Sequence, residues 1–235
     1  MRPWVVLPTY DEAENLEGIV RAIRAALPGG RILVVDDASP DGTGRIADRL
    51  AAGDGNVEVL HRPGKLGLGQ AYVAGFERAL AGGATHVVEM DADFSHDPGD
   101  LPRLLAAGGD LVLGSRYVPG GAVENWHPLR RAVSRGGCWY ARRVLRVPVR
   151  DLTGGLKCFT AEALERVDFR TVGAQGYGFQ VELTYRALRR GLHVVEIPIV
   201  FRERREGRSK MTWQIALEAA FMVPRLRADS SRDVG

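Results

Sequence analysis

Cysteine is scarce in this chain: Cys138 and Cys158 are the only two in 235 residues. Two thiols cannot build a disulfide framework, and neither stands in a metal-binding spacing, so a reducing compartment is expected. Long apolar runs are missing as well. No stretch approaches the ~18 uninterrupted apolar residues of a membrane-spanning helix. The start, Met1-Arg2-Pro3-Trp4-Val5-Val6-Leu7-Pro8, is too short and too soon broken by proline for a signal peptide. A soluble, cytoplasmic protein is therefore expected.

Several chemical signatures are absent too. Neither G-x-G-x-x-G nor G-x-x-x-x-G-K-[ST] follows the first apolar run, which disfavours a dinucleotide oxidoreductase and a P-loop kinase. Gly64-Lys65-Leu66-Gly67-Leu68-Gly69 has the composition of such a loop without its spacing, and reads as a flexible connection into a helix. His61, His86, His96, His127 and His193 are dispersed, with no Ser/His/Asp or Cys/His arrangement around them, and read as packing or surface residues.

What is present is ordinary globular material, 45% hydrophobic and 26% charged, which argues against a disordered or fibrous chain. The 29 glycines follow no Gly-X-Y period and mark turns and close approaches. The net charge of +3 conceals an asymmetry. Residues 1–116 carry 11 Lys and Arg against 17 Asp and Glu, whereas residues 117–235 carry 21 against 12. An acidic half suits divalent cations; a basic half suits phosphate groups, nucleic acid or an anionic membrane. No nucleic acid is expected, because the basic half lacks the interleaved aromatics of a nucleic-acid groove and the acidic rim would repel a phosphate backbone.

The first half alternates strands and helices. Apolar runs at Trp4–Pro8, Arg31–Asp37, Val57–His61, Thr85–Met90 and Leu111–Gly114 read as strands. Between them Glu12–Leu27, Asp41–Ala52, Gly69–Leu80 and Pro98–Ala107 read as helices, the first with Leu16, Ile19, Val20, Ile23 and Leu27 at helical spacing and a capping box of Thr9 and Glu12. This rhythm specifies an α/β fold with a doubly wound, mainly parallel sheet. Ligands of such sheets bind at the carboxyl ends of the strands, which places Pro8-Thr9-Tyr10, Asp36-Asp37, Asp91-Ala92-Asp93 and Ser115-Arg116 along one rim. Asp91 and Asp93 can share one hard cation, Mg²⁺ or Mn²⁺, of the kind that bridges substrate phosphates. Capping of the Pro98–Ala107 helix is the competing reading of these carboxylates.

Taken together, Leu7-Pro8-Thr9-Tyr10-Asp11-Glu12, Val34-Val35-Asp36-Asp37-Ala38-Ser39-Pro40-Asp41-Gly42-Thr43 and Met90-Asp91-Ala92-Asp93-Phe94-Ser95-His96 resemble the family 2 glycosyltransferases, whose nucleotide-sugar-binding fold is of the A type. Gly114-Ser115-Arg116-Tyr117, Val123-Glu124-Asn125-Trp126, Asp151-Leu152-Thr153-Gly154-Gly155, Gly176-Tyr177-Gly178-Phe179-Gln180 and Arg208-Ser209-Lys210-Met211 narrow the resemblance to the dolichyl- and polyprenyl-phosphate mannose synthases. It runs from residue 3 to residue 226.

The resemblance implies a nucleotide-sugar site at Pro8, Tyr10, Glu12, Val35 and Asp37, continued by Asp91, Ala92, Asp93, Gln180, Arg204 and Lys210. It implies a metal on Asp91 and Asp93, with Ser95 nearby where some relatives carry glutamine. Arg116, Arg130, Ser134 and Arg135 match positions that receive the acceptor phosphate. The implied reaction is inverting transfer of mannose from GDP-mannose to a polyprenyl monophosphate, which attacks without a dedicated base. Asp91, Asp93 and Arg116 are its implied catalytic groups. A polyprenyl-phosphate glucosyltransferase using UDP-glucose is the alternative.

Such an acceptor lies in a bilayer. Pro128–Val147 sets Leu129, Val133, Gly136, Tyr140, Val144 and Val147 at helical spacing among Arg130, Arg131, Arg135, Arg142, Arg143 and Arg146, with Trp139 beside them. A basic amphipathic helix of this kind fits an anionic membrane surface. Thr212–Arg225 is a second amphipathic candidate. Peripheral attachment at the cytoplasmic face of the cell membrane is expected, either direct or through a membrane-protein partner. Residues 1–228 are expected to form one glycosyltransferase domain, residues 1–116 mainly for nucleotide and metal, 117–228 mainly for acceptor and membrane, with a frayed tail at 229–235.

Overall fold

The computed structural model describes residues 1–174, 176–203 and 222–228. At its centre is a seven-stranded sheet built from β1 (Pro3–Thr9), β2 (Arg31–Asp36), β3 (Val57–His61), β4 (His86–Glu89), β5 (Leu111–Ser115), β7 (Lys157–Thr160) and β8 (Val194–Pro198). The strand order is β3-β2-β1-β4-β7-β5-β8. Every neighbouring pair is parallel except those made by β7, which runs antiparallel between β4 and β5. The α/β, mainly parallel sheet read from the sequence is present, and strands from both halves of the chain share it.

The alternation of side chains along a strand divides the core in two. Trp4 and Val6 of β1, with Leu33 and Val35 of β2, face one side; Val5, Leu7, Ile32 and Val34 face the other. Both faces are covered, so these strands read as unbroken apolar runs. Helices α1 (Ala13–Ala26), α2 (Thr43–Gly53) and α4 (Leu101–Ala106) cover one face through residues such as Leu16, Ile19, Ala47 and Leu104. Helices α3 (Leu68–Ala81), α6 (Ala161–Val167), α7 (Tyr177–Arg189) and the end of α5 (Pro128–Leu145) cover the other, through Tyr72, Phe76, Leu164, Leu183 and Leu145.

The predicted capping box is not formed. Thr9 lies inside β1, and its hydroxyl donates to Asp36 Oδ1 across the strand pair at 3.2 Å. The first amides of α1 are met instead from the next loop: Ala13 N donates to Asp41 Oδ2 at 3.0 Å and Glu12 N to Thr43 Oγ1 at 3.0 Å. Capping here is long-range, which a local pattern cannot reveal.

A strand pair, β6 (Ala122–Val123) and β9 (Val200–Phe201), stands outside the main sheet. Helix α5 runs unbroken through Gly136 and Gly137. Its core-facing residues are Ser134, Cys138, Ala141 and Leu145, whereas Leu129, Val133 and Trp139 are exposed. Among the described residues no helix is long and apolar enough to cross a membrane. Of the second amphipathic candidate, only residues 222–225 are described; they are helical, and Val223 is buried in the core.

Candidate active site

The sheet order reverses between β1 and β4: β2 and β3 continue to one side of β1, while β4 starts the other. That reversal opens a crevice beyond the carboxyl ends of the strands. A cavity of about 400 Å³ occupies it. Of the residues singled out in the sequence, Pro8, Tyr10, Glu12, Asp37, Asp91, Ala92, Asp93, Ser95, Arg116, Arg130 and Gln180 all line it. Val35 does not: it is fully buried in the core beneath the rim. Ser134 and Arg135, on α5, do not line it: Ser134 accepts a hydrogen bond from the Tyr117 hydroxyl at 2.7 Å and Arg135 lies over the Tyr117 ring. Arg204 and Lys210 fall outside the described residues.

At the β2 end, two adjacent aspartates do different work. Asp36 is turned inward and accepts from the Ser39 hydroxyl at 2.6 Å, tying its own loop. Asp37 reaches the cavity and is held by Arg62 Nη1 at 2.6 Å and by the Leu66 amide at 3.3 Å. The glycine-rich segment after β3 is therefore more than a connection. Lys65 and Gly67 line the cavity, and the Lys65 ammonium lies 3.7 Å from the centre of the Tyr10 ring.

At the β4 end the chain turns sharply, with Phe94 in the left-handed region at φ 60°. Asp93 Oδ1 accepts from the Ser95 amide at 3.0 Å, and the Ser95 carbonyl accepts from Arg202 N at 3.0 Å. Neither carboxylate caps the helix that follows; Asp97 does so, accepting from Gly99 N at 2.9 Å. Beside Asp91 and Asp93, Ser95 Oγ and both ring nitrogens of His96 are buried with no hydrogen-bond partner among the described residues. His96 Nδ1 lies 3.8 Å from Asp91 Oδ2, and burial pulls its pKa down to about 4, which keeps the ring neutral at physiological pH.

Two carboxylates and an orphaned hydroxyl suit a hard divalent cation. Among the described residues no group of three His, Cys, Asp or Glu side chains could hold one, so a cation here would need further oxygens from substrate or water.

Under this loop lies a charge pair that the register of β7 creates. Glu89 and Lys157 stand directly opposite each other on β4 and β7, both fully buried. Burial pushes Glu89 up to about 7 against the pull of Lys157, and draws Lys157 down to about 8 against the pull of Glu89. Lys157 Nζ donates to the Gln180 carbonyl at 2.7 Å, fixing the first turn of α7. Gln180 is buried on the cavity wall, and its side-chain amide acts on the buried Glu89 carboxylate.

The third side of the cavity is basic and aromatic. Arg116 donates Nε to Asp151 Oδ2 at 2.7 Å, Nη2 to Asp151 Oδ1 at 2.6 Å and Nη2 to Thr153 Oγ1 at 2.8 Å. Burial alone would lower the Arg116 pKa, but the Asp151 charge and hydrogen bonds outweigh it and hold the guanidinium above its usual value. Its planar group sits among the rings of Tyr117, Trp126 and Phe201. Arg130 stacks over Trp126 at 4.0 Å and pairs with Glu203 at 3.1 Å.

Asp151 and Trp126 belong to segments marked in the sequence, but the pairing of Asp151 with Arg116 spans 35 residues of chain and leaves no local signature. Lys65 stands in the segment read as a connection, and Lys157 and Phe201 carry no mark. Only the two remote neighbours of Lys157, Glu89 and Gln180, would have pointed to it.

The protein-family model described as glycosyl transferase family 2 matches residues 4–168. The chain is 48% identical over 241 residues to the polyprenol monophosphomannose synthase of Mycolicibacterium smegmatis, covering 99% of this chain and 91% of that one. It is also 48% identical over 227 residues to the undecaprenyl-phosphate mannosyltransferase of Micrococcus luteus, covering 96% and 93%. Among solved structures, glucosyl-3-phosphoglycerate synthase from Mycobacterium tuberculosis, in complex with Mn²⁺ and UDP-glucose, superposes with a TM-score of 0.70. At 20% identity, over 97% of this chain and 79% of that one, this likeness is one of fold.

Proposed function

The chain belongs to glycosyl transferase family 2, and on that premise we propose that it transfers mannose from GDP-mannose to a polyprenyl monophosphate, releasing GDP. The observation that carries this reading is the division of one cavity into an acidic side, Asp91 and Asp93, and a basic side, Arg116 and Arg130. Two relatives of nearly the same length, both named for mannose transfer to a polyprenol phosphate, supply the sugar and the acceptor class.

Asp91 and Asp93, with Ser95 beside them, would hold Mg²⁺ or Mn²⁺. The cation would supply positive charge to the leaving diphosphate. Pro8, Tyr10, Glu12 and Asp37 form the nucleoside end, and Gln180 lines the same space. Arg130 supplies a guanidinium for the acceptor phosphate. Arg116 adds a fixed positive charge and the donors that Asp151 leaves over. A phosphate monoester has its second pKa near ~6 and is largely dianionic at neutral pH. It needs positioning more than deprotonation, so the reaction proceeds without a dedicated base. Attack opposite the leaving diphosphate inverts the anomeric centre, giving a β-linked product from an α-linked donor.

The exposed face of α5 brings this site to its lipid. Leu129, Val133 and Trp139 are 69%, 44% and 65% exposed, with Arg131, Arg135, Arg142 and Arg146 along one flank. Apolar contact plus basic flanks suit peripheral attachment to an anionic membrane surface.

The test is transfer to a short polyprenyl phosphate in detergent, comparing GDP-mannose with UDP-glucose, with and without EDTA. Mannose transfer that EDTA abolishes and Mn²⁺ restores is expected. Transfer from UDP-glucose alone would overturn the donor, and transfer insensitive to EDTA would overturn the metal.

A further inference from the structure

The glycine-rich segment after β3 has no part in the reaction as described so far, yet it places a cation inside the cavity. Its position is fixed. The Leu66 amide donates to Asp37 Oδ2, Arg62 holds Asp37 Oδ1, and the intervening Lys65 lies with its ammonium against the face of Tyr10. Among the described residues Lys65 makes no ion pair with a carboxylate. A lysine surrounded by an acidic rim, kept on an aromatic face, has donors to give to a ligand.

The sheet order says which part of a ligand it meets. Asp91 follows β4 and Asp37 follows β2, with β1 between those strands. Two strand spacings of ~4.8 Å separate β4 from β2 by about 10 Å, and Lys65 follows β3, one strand farther. A nucleotide whose diphosphate sits at Asp91 and Asp93 therefore extends its base, and not its phosphates, toward Asp37 and Lys65.

We infer that Lys65 is the residue that reads the base of the donor and selects guanine over uracil, an assignment that rests on the GDP-mannose reading above. Guanine offers two adjacent acceptors, O6 and N7, and two adjacent donors, N1–H and the 2-amino group. An ammonium beside carboxylates matches that edge: Lys65 donates to O6 and N7, and Asp37 and Glu12, which line the same end, accept from the two donors. Uracil is a single ring without N7, so its O4 falls short of the Lys65 ammonium, and its one donor between two carbonyl oxygens sets an acceptor against the carboxylate placed for the second guanine donor. That mismatch disfavours UDP.

Titration calorimetry in Mn²⁺ with GDP, IDP and UDP, on the wild type and on Lys65→Met, tests the assignment without depending on turnover. IDP lacks the 2-amino group but keeps O6 and N7. The wild type is expected to bind GDP more tightly than UDP. Lys65→Met should weaken GDP and IDP by the same factor, about tenfold or more for a hydrogen bond from a charged donor, and leave UDP nearly unchanged. Lys65 is exposed, so the variant should keep the wild-type thermal midpoint. Equal losses for all three nucleotides would overturn the inference by placing the ammonium on the shared ribose or diphosphate, and so would no loss at all. A wild type that prefers UDP would overturn the donor reading and this assignment with it, a result distinct from a GDP-preferring enzyme indifferent to Lys65→Met.

Discussion

Arg116 and Asp151 form a planar, two-point ion pair with almost no exposure on either side, 4% and 0% for the two side chains. The Arg116 amide also donates to Asp151 Oδ2 at 2.9 Å, so one carboxylate fixes both the backbone and the guanidinium. Removing one partner of such a pair leaves an uncompensated buried charge. Asp151→Ala should cost about 3–5 kcal/mol of stability, read as a lowered urea midpoint at neutral pH. It should also raise the KM for the polyprenyl phosphate more than that for the sugar nucleotide, because Arg116 loses its fixed orientation.

The same pair makes the protein acid-sensitive in a defined direction. Burial works to raise the Asp151 carboxyl, but the Arg116 charge and hydrogen bonds win and hold it below the unfolded value of 3.8. A carboxylate depressed in the native state contributes stability that is complete above the unfolded value and is lost as pH falls through the native one. The stability gap between wild type and Asp151→Asn should therefore narrow on acidification below pH 4. A gap that stays constant from pH 7 to pH 3 would contradict the assignment.

Asp91→Ala and Asp93→Ala are each expected to lower transfer at least about 10²-fold, the scale of one electrostatic contact to a charge that develops in the transition state. Steady-state rates at saturating Mn²⁺ check this. Rates within tenfold of wild type in either variant would remove that residue from the metal site.

Replacing Leu129, Val133 and Trp139 together by serine should abolish co-sedimentation with anionic vesicles. Transfer to a short acceptor in detergent should persist, because these side chains point away from the core. Raising the salt concentration should weaken vesicle binding of the wild type, since the arginines beside this face act through a screened surface potential.

Gly75→Ala is expected to destabilise the fold by about 1–3 kcal/mol, the usual penalty of overpacking. A Cβ there would stand 2.4 Å from Val6 Cγ1 and 3.2 Å from Val35 Cγ2, where α3 crosses β1 and β2. The thermal midpoint measures it.

The strand ends were legible in the sequence because they need only local information. Val5, Leu7, Ile32 and Val34 declare themselves by being apolar, and a carboxylate following such a run falls on the rim. Asp37, Asp91 and Asp93 all arrive in the cavity for that reason. Val35 precedes the rim by one residue too many and faces the core instead. The helix start at Ala13 was legible in place but not in cause, since Asp41 and Thr43 come from another loop to meet its amides.

By itself the sequence determined the class of fold, the acidic and basic division of the chain, and the carboxylates on the rim. These follow from hydrophobic periodicity and residue type, which act over a few neighbouring positions. Only the tertiary structure decided that β7 runs antiparallel, so that Lys157 faces Glu89. It alone paired Asp151 with Arg116, and turned the segment after β3 so that Lys65 lies over Tyr10. Those relationships join residues 35 to 68 positions apart. The reason is physical: a buried charge must find its partner in space, and the order of strands in the sheet, not their order in the chain, sets which partner it finds.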